Sequence, residues 1–379
     1  MITGITLNRF KCFATPTTFP MSQITVLYGK NGRGKSSVIQ SLLLLSQTLN
    51  ENGGSIDPLV ISGKMVSLGS FLDILNQRHQ LTDDIVFEIA TDLEKPLYLS
   101  FVGVPDKPTI AKLDDLKVGD DSYRSSQDTE TDSGHKVGSD NHSFLPQSDI
   151  KTYSFLRSLS FISAERRGPR NFESRKDNLS FRDVDVKGEY LINALSNQSS
   201  SFIQRFSEEL SLVLSGASVR VFANIDTPDR VELFLDSTND NSMGFRPTNV
   251  GFGYSYVLPI VFKTMTAPEG GLVIIENPEA HLYPGAQSRL MDFLVKYATK
   301  NRLQIILETH SDHIINGLRL AVKDKRILPY ATSILFFNRD DDSSDTPSVE
   351  SIQMNEKGSL SKQPEDFMDE WTRQLLALI

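Results

Sequence analysis

The chain has 379 residues, 39% hydrophobic and 23% charged, with a formal net charge of -9 and a pI near 5.3, enough to bury a full core in one large domain or two closely joined ones. The acidic balance excludes a body that is basic all over, so nucleic-acid binding would need a local patch or a partner. One cysteine, Cys12, excludes an internal disulfide or a cysteine metal cluster, and the absence of a leader pattern or a run of about 18 apolar residues points to a cytoplasmic protein with no membrane role.

In chain order, Ile5 and Leu7 alternate with polar residues as in a half-buried strand that Phe10 and Phe13 close. A short strand near Thr18 follows, then the apolar, β-branched run Ile24-Thr25-Val26-Leu27, suited to a buried strand. The next stretch, Tyr28-Gly29-Lys30-Asn31-Gly32-Arg33-Gly34-Lys35-Ser36-Ser37, fits G-x-x-x-x-G-K-[ST] without a mismatch. Behind it Val38, Leu42, Leu45 and Leu49 recur at helical spacing, giving strand, glycine loop, helix. In such a loop the backbone amides around Asn31, Gly32, Arg33, Gly34 and Ser37 wrap phosphates at the positive end of the helix. Lys35 reaches the terminal phosphates, and Ser36 offers its hydroxyl to Mg2+. The plainer alternative is a turn with no ligand.

After a Gly53-Gly54 loop and a short apolar segment at 68–75, residues 85–89 and 97–102 read as strands. From 105 to 150 acidic residues outnumber basic ones, and the low hydropathy predicts a flexible insertion with no core. A strand at 159–163 leads into Arg166, Arg167 and Arg170 around a Gly-Pro turn. That loop suits the phosphates of a nucleotide or of DNA, or else forms ion pairs with Glu165 and Glu173. Phe202, Ile203, Phe206, Leu210 and Val213 make a helical stripe, and strands at 219–222 and 231–235 would pair across the turn Asp226-Thr227-Pro228-Asp229. No internal repeat or long heptad run is present.

The apolar strand Leu272-Val273-Ile274-Ile275 ends in Glu276, and a carboxylate at a strand end is suited to hold Mg2+, usually through water. A second apolar strand, Leu303 to Leu307, runs into Glu308-Thr309-His310-Ser311-Asp312-His313, with Ser311 or Asp312 suited to start the next helix.

Two sets of residues carry a resemblance. The strand I-x-L-x-x-F-K-x-F feeding G-K-N-G-x-G-K-S-S resembles the heads of ABC-type ATPases of the SMC, RecF and OLD group. E-N-P-E-A-H-L-x-P and E-T-H-S-D-H, with the closing Gln363-Pro364-Glu365-Asp366-Phe367-Met368-Asp369-Glu370-Trp371, resemble a prokaryotic AAA-type, OLD-like branch that carries a short C-terminal domain of unknown function. The likeness covers nearly all of the chain outside the acidic insertion.

It implies an α/β fold: an ABC-type P-loop ATPase head with a mixed sheet, N-terminal antiparallel strands and a helical lobe. The head would span 1–379, with the insertion at 105–150, a helical and signature lobe at 200–265 and a C-terminal extension at 340–379. ATP and Mg2+ would bind with Lys35 and Ser36 on phosphate and metal and Glu276 on metal. Phe13 could approach the adenine, or be a core aromatic. Gln77 or Gln80 could sense Mg2+, or be surface glutamines.

Gly251 stands where a signature serine is usual. With Gly253 it would present a helix N-terminus to the γ-phosphate held by the opposite subunit, so the resemblance implies an ATP-sandwiched homodimer or higher homo-oligomer. Asn277 stands where most such heads place the glutamate that polarises water. An amide cannot accept the proton, so general-base work falls to Glu279 or to no side chain, and turnover would be slow or dependent on assembly. Glu279 could instead cap a helix over 285–299. His310 would sense the γ-phosphate, with His313 supporting it or at the surface.

Relatives of this type resemble the ATPase halves of the Septu, PARIS and Gabija antiviral defence systems, where the ATPase controls a nuclease. The OLD and Gabija proteins carry a fused Toprim nuclease; with the sequence ending at Ile379, the expectation is a nuclease effector acting in trans. The alternatives are a nucleotide-dependent assembly scaffold with little hydrolysis, or a RecF-like DNA-repair ATPase acting on DNA ends.

Overall fold

In the computed structural model, residues 1–123, 150–176, 184–223, 228–236, 244–338 and 346–378 are described. They form two compact units. One comprises Met1–Ser22, Gly29–Leu159 and Leu335–Ser351; the other comprises Gln23–Tyr28, Ser160–Ile334 and Ile352–Ile379.

The first unit holds β1 (Ile2–Asn8), β2 (Thr17–Pro20), the last residue of β3 (Ile24–Gly29), α1 (Lys35–Glu51), β4 (Leu59–Val60), α2 (Phe71–Ile74), β5 (Ile85–Thr91), β6 (Leu97–Val104), β7 (Lys107–Val118), β8 (Asp121–Tyr123) and α3 (Lys151–Arg157). Its sheet is antiparallel in the order β2-β1-β5-β6-β7-β4, with β8 paired to β7. The inward residues of β1, β5 and β6 alternate as a one-faced sheet requires, and Phe10, Phe87 and Phe101 meet beneath it at ring separations of 5.2 and 6.1 Å. Helix α1 buries Leu42, Leu43, Leu44 and Leu45 in succession, so it is covered on several sides. Its enclosed polar groups find partners: Ser46 Oγ donates to the Leu156 carbonyl, and Gln47 bonds the Val60 carbonyl and the Met65 and Val66 amides.

The expectation of a flexible insertion over 105–150 is corrected for its first part: residues 107–123 form β7 and β8. Composition misleads there because β7 buries only Ala111 and Leu116 and is held by its ladder to β6, with Leu99 opposite Leu116 and Phe101 opposite Leu113. The rest of that expectation, 124–149, lies outside the described residues.

The second unit holds β3 up to Tyr28, β9 (Ser160–Ile162), β10 (Phe172–Ser174), α4 (Leu191–Ser196), α5 (Ser200–Val213), β11 (Ser218–Ala223), β12 (Arg230–Asp236), α6 (Phe252–Thr266), β13 (Leu272–Glu276), α7 (Pro284–Lys300), β14 (Gln304–Glu308), α8 (Asp312–Lys323) and α9 (Glu370–Ala377). β15 (Thr332–Asn338) and β16 (Ser348–Ile352) have residues in each unit. Four parallel strands run in the order β9-β13-β14-β3, and their near-continuous burial explains why β13 and β14 read as unbroken apolar runs. A smaller antiparallel sheet, β10-β12-β11, joins the two strands expected at 219–222 and 231–235; the turn expected between them falls partly outside the described residues. The stripe on α5 buries Phe206, Leu210 and Val213, with Phe206 against Phe262 of α6 at 6.2 Å. Among the described residues no helix is long and apolar enough to cross a membrane.

Candidate functional site

The phosphate loop is described within the first unit. Its conformation needs glycine at two places. Gly29 has φ 132°, and a Cβ there would lie 2.2 Å from the Phe337 carbonyl oxygen; Gly34, the N-cap of α1, has φ 97°, and a Cβ would meet Phe13 at 2.6 Å and Cys12 Sγ at 2.8 Å. The loop is pinned from below by the Lys30 N–H, which donates to the Phe337 carbonyl. Lys35 is 3% exposed, and its ammonium donates to the carbonyls of Gly29 (2.9 Å) and Lys30 (2.8 Å), so a cation is fixed at the loop's base. Arg33 Nε is a buried donor with no partner among the described residues. A fixed cation, an unspent donor and a glycine turn at a helix N-terminus fit a polyphosphate.

Phe13 is fully buried, edge-on to Phe19 at 5.1 Å and against Gly34. It is a core aromatic that floors the loop, not a free face for adenine. Cys12 is half-buried beside Ser37, and burial pushes its thiol above the ordinary value, consistent with an inert packing role. Gln77 and Gln80 are exposed, and the Gln80 N–H donates to Asp83.

The acidic residues and the loop of Thr309, His310 and Ser311, termed the switch loop, lie in the second unit. Glu276 ends β13 and is the register partner of Glu308 at the end of β14, so two carboxylates stand side by side at the C-terminal edge of parallel strands. The Ala164 amide donates to Glu276 Oε2 at 3.0 Å; burial pushes this carboxyl above the ordinary value, with that bond and nearby Arg166 opposing the rise. No cluster of three or more His, Cys, Asp or Glu ligands occurs among the described residues. Two carboxylates fit Mg2+, which is normally bound by one or two carboxylates with phosphates and water completing its shell. Glu308 escaped the reading of the sequence, although the rule that singled out Glu276, an acid at the end of a buried apolar strand, applies to it equally.

Asn277 adopts φ 43°, a left-handed conformation that asparagine tolerates better than glutamate, and its amide bonds the Glu308 carbonyl. Glu279 does not cap the following helix, which begins at Pro284 with Tyr283 as N-cap. Instead Oε2 accepts from the Thr309 hydroxyl at 2.7 Å and Oε1 from the His310 amide at 2.9 Å, so the carboxylate clamps the backbone of the switch loop. Ser311 is the N-cap of α8, accepting from the amides of His313 and Ile314, and His310 is left exposed on the loop.

Arg166 is 4% exposed and donates to the carbonyls of Ser163, Glu276 and Asn277. Burial brings its pKa down to about 10, against the opposing pull of Glu279, Tyr256 and Glu276, so it stays a cation at neutral pH. Of the two readings of this loop, a basic patch for phosphates is corrected and the ion pairs are found in part: Arg170 pairs with Glu173 as expected and Arg167 with Glu189, while Arg166 braces the acidic loop from inside. Glu165 pairs instead with Lys187.

Gly251 is the N-cap of α6, and a Cβ there would meet nothing within 4 Å. Gly253 makes a close approach, but to its own chain: a Cβ would lie 2.8 Å from the His281 carbonyl oxygen. The His281 ring rests against Tyr256 and Phe252 at 4.3 and 5.6 Å. This couples the N-terminus of α6 to the loop that follows Glu276. Gly253→Ala is expected to destabilise the protein by about 1–3 kcal/mol, the scale of an overpacked core site, as read by denaturant midpoint.

Residues 24–316, which take in the phosphate loop, both acid-bearing strands and the switch loop, match the family described as "AAA domain, putative AbiEii toxin, Type IV TA system". The chain belongs to that family. Residues 327–378 of this AAA-family protein match a second family, described as "Protein of unknown function (DUF3696)". No curated protein matches the chain.

Among solved structures, the AAA-family chain is similar to an Smc head bound to the C-winged helix domain of ScpA, at 15% identity and a TM-score of 0.55, covering 93% of this chain and 98% of that one. It is also similar to an Smc head with an extended coiled coil, bound to the C-terminal domain of ScpA derived from Pyrococcus furiosus, at 13% identity and a TM-score of 0.54, covering 100% and 99%. The fold is that of a mixed α/β, ABC-type P-loop head, and membership of the AAA family makes the protein a nucleotide-binding ATPase.

Proposed function

We propose that the protein binds ATP and Mg2+, hydrolyses ATP slowly, dimerises around the nucleotide, and through that cycle controls a partner effector, a nuclease acting in trans, in prokaryotic anti-phage defence. The observation that carries ATP binding is the glycine loop built around the buried Lys35 ammonium. Asn31, Gly32, Arg33, Gly34, Ser36 and Ser37 join Lys35 on the phosphates; Ser36 offers its hydroxyl to the metal, and Glu276, with Glu308 beside it, offers a carboxylate. Bound Mg2+ would offset phosphate charge and orient the leaving group.

The open N-terminus of α6 at Gly251 supports a role on the γ-phosphate held by a second copy, since helix amides and dipole favour an anion there. The family description, a putative toxin of a Type IV TA system, and the binding of ScpA by Smc heads support a paired protein. Neutralising Glu279 is expected to lower steady-state turnover by roughly 10- to 100-fold in Glu279→Gln, and His310→Ala by a similar factor, with ATP binding retained in both. Turnover unchanged in both variants would sink the roles given to these residues. Light scattering with and without ATP tests the dimer.

A second reading, an assembly scaffold with little hydrolysis, is favoured by one specific observation. Both Glu279 oxygens accept hydrogen bonds from the switch loop, and the neighbouring acid position is Asn277. ATP-dependent assembly with turnover that neither substitution changes would select it.

A further inference from the structure

Tyr28 occupies the last position before Gly29 of the phosphate loop, and its side chain is engaged on two sides within the second unit. The phenol donates to Asp312 Oδ1 at 2.7 Å, and the Met368 amide donates to the phenol oxygen. The Tyr28 ring meets Phe367 edge to face, with centroids 5.2 Å apart at 73°. Asp312 is the first residue of α8, two positions after His310. One tyrosine therefore joins, by direct contact, the chain entering the phosphate loop, the helix leaving the switch loop, and the C-terminal segment.

The C-terminal side of this junction is under backbone strain. Phe367 is fully buried, yet the residues flanking it, Asp366 at φ 64° and Met368 at φ 56°, are both non-glycine residues in the left-handed region. Each such residue costs about 1–2 kcal/mol, so the segment is held in place by what Phe367 and the Tyr28 bonds return. Further bonds over-determine it: the Asp366 amide to Asp369 Oδ2, and Arg319 Nε to the Gly358 carbonyl. Beyond it α9 buries no residue, and Asp312, Met368 and Trp371 line a cleft of about 830 Å³ that gives the segment room to shift. A strained, buried plug beside an open cleft is an element that a small displacement at Tyr28 or Asp312 can bias.

We propose that Tyr28, Asp312 and Phe367 form a latch that passes nucleotide occupancy of the phosphate loop to the C-terminal segment, with α9 as the part that moves. This rests on the reading of the loop as an ATP site. Tyr28 and Phe367 are positioning residues in it.

The chain carries its own reporter, because its one tryptophan, Trp371, lies on α9 and is 69% exposed. Emission excited at 295 nm, and its quenching by iodide, are recorded on the full chain with and without ATP and Mg2+, while equilibrium dialysis with labelled ATP measures binding on the same samples. The wild type is expected to bind ATP and to change both emission and quenching. Tyr28→Phe, which keeps the ring and deletes the hydroxyl, and Asp312→Asn are expected to bind ATP within about threefold of wild type and to lose most of the Trp371 response. Phe367→Leu should raise the iodide quenching of Trp371 above the wild-type level before ATP is added. Should one variant fail to fold by circular dichroism, the other two carry the test. ATP bound without any Trp371 response in the wild type overturns the latch, as does a full response in Tyr28→Phe and Asp312→Asn. No ATP bound by the wild type instead overturns the reading of the loop.

Discussion

Lys35→Ala is expected to reduce ATP affinity by roughly 100-fold or more while the protein still folds. The size follows from what the ammonium does in the loop. It is buried at the base of the glycine turn and oriented by two carbonyls of that turn, so its position is set before any phosphate arrives. A hydrogen bond to a charged group is worth about 1.5–3 kcal/mol, and losing one or two on the phosphates corresponds to a factor of about 10 to 10⁴.

The same substitution strips the Gly29 and Lys30 carbonyls of a donor, a loss of about 1 kcal/mol where water can replace it, so the melting temperature should fall only slightly. Lys35→Arg separates charge from shape. It keeps the cation but puts a larger, planar group in a site with almost no free surface, and intermediate affinity with a larger stability loss is expected. Titration by equilibrium dialysis with a parallel melt checks both. Affinity for ATP unchanged in Lys35→Ala would remove the phosphate loop from the site.

How far the sequence reached depends on which interactions set each feature. The phosphate loop was legible because part of its constraint is local: Gly29 and Gly34 carry positive φ at a fixed spacing from Lys35, although the close approaches of Phe337 and Phe13 to those glycines are tertiary. β13 and β14 were legible because burial on both faces demands unbroken apolar runs. β7 was not, since a strand held mainly by its backbone ladder needs few apolar side chains, and Lys107–Val118 has few.

The same division holds within the site. Glu276 announced itself at a strand end. The partnership of Glu279 with Thr309 and His310, about 30 residues away, is a tertiary fact that no local pattern encodes. Arg166 shows the opposite failure: three arginines in a loop read as a surface patch, yet one of them is the internal brace of the acidic loop. Gly253 kept its glycine for a reason the motif hides, the carbonyl of His281 inside the same chain.

Glu276→Gln is expected to make the nucleotide-free protein more stable and the Mg2+- and ATP-loaded protein less so. In the fold this carboxyl is half-buried next to Glu308, and burial holds its pKa above the ordinary 4.5, which means that ionisation is less favourable in the folded state than in the unfolded chain. The folded state then binds the proton more tightly. Stability contributed by the protonated form is fully present below 4.5 and is lost as pH rises through the folded value.

Above the folded value the wild type carries that cost in full. Glutamine keeps an acceptor for the Ala164 amide and carries no charge, so Glu276→Gln should melt higher, by an amount that shrinks toward zero as pH falls to about 4. Adding ligand reverses the order. A ligand at about 100 times its Kd stabilises the fold by about 2.7 kcal/mol, and the variant, deprived of a metal carboxylate, forgoes most of that gain. Melting curves with and without Mg2+ and ATP, at pH 7.5 and near pH 5, give the comparison. A variant less stable than wild type without ligand would show Glu276 to be a structural acid, whereas the crossover would show a carboxylate kept ionised at a cost in stability because its charge holds the metal.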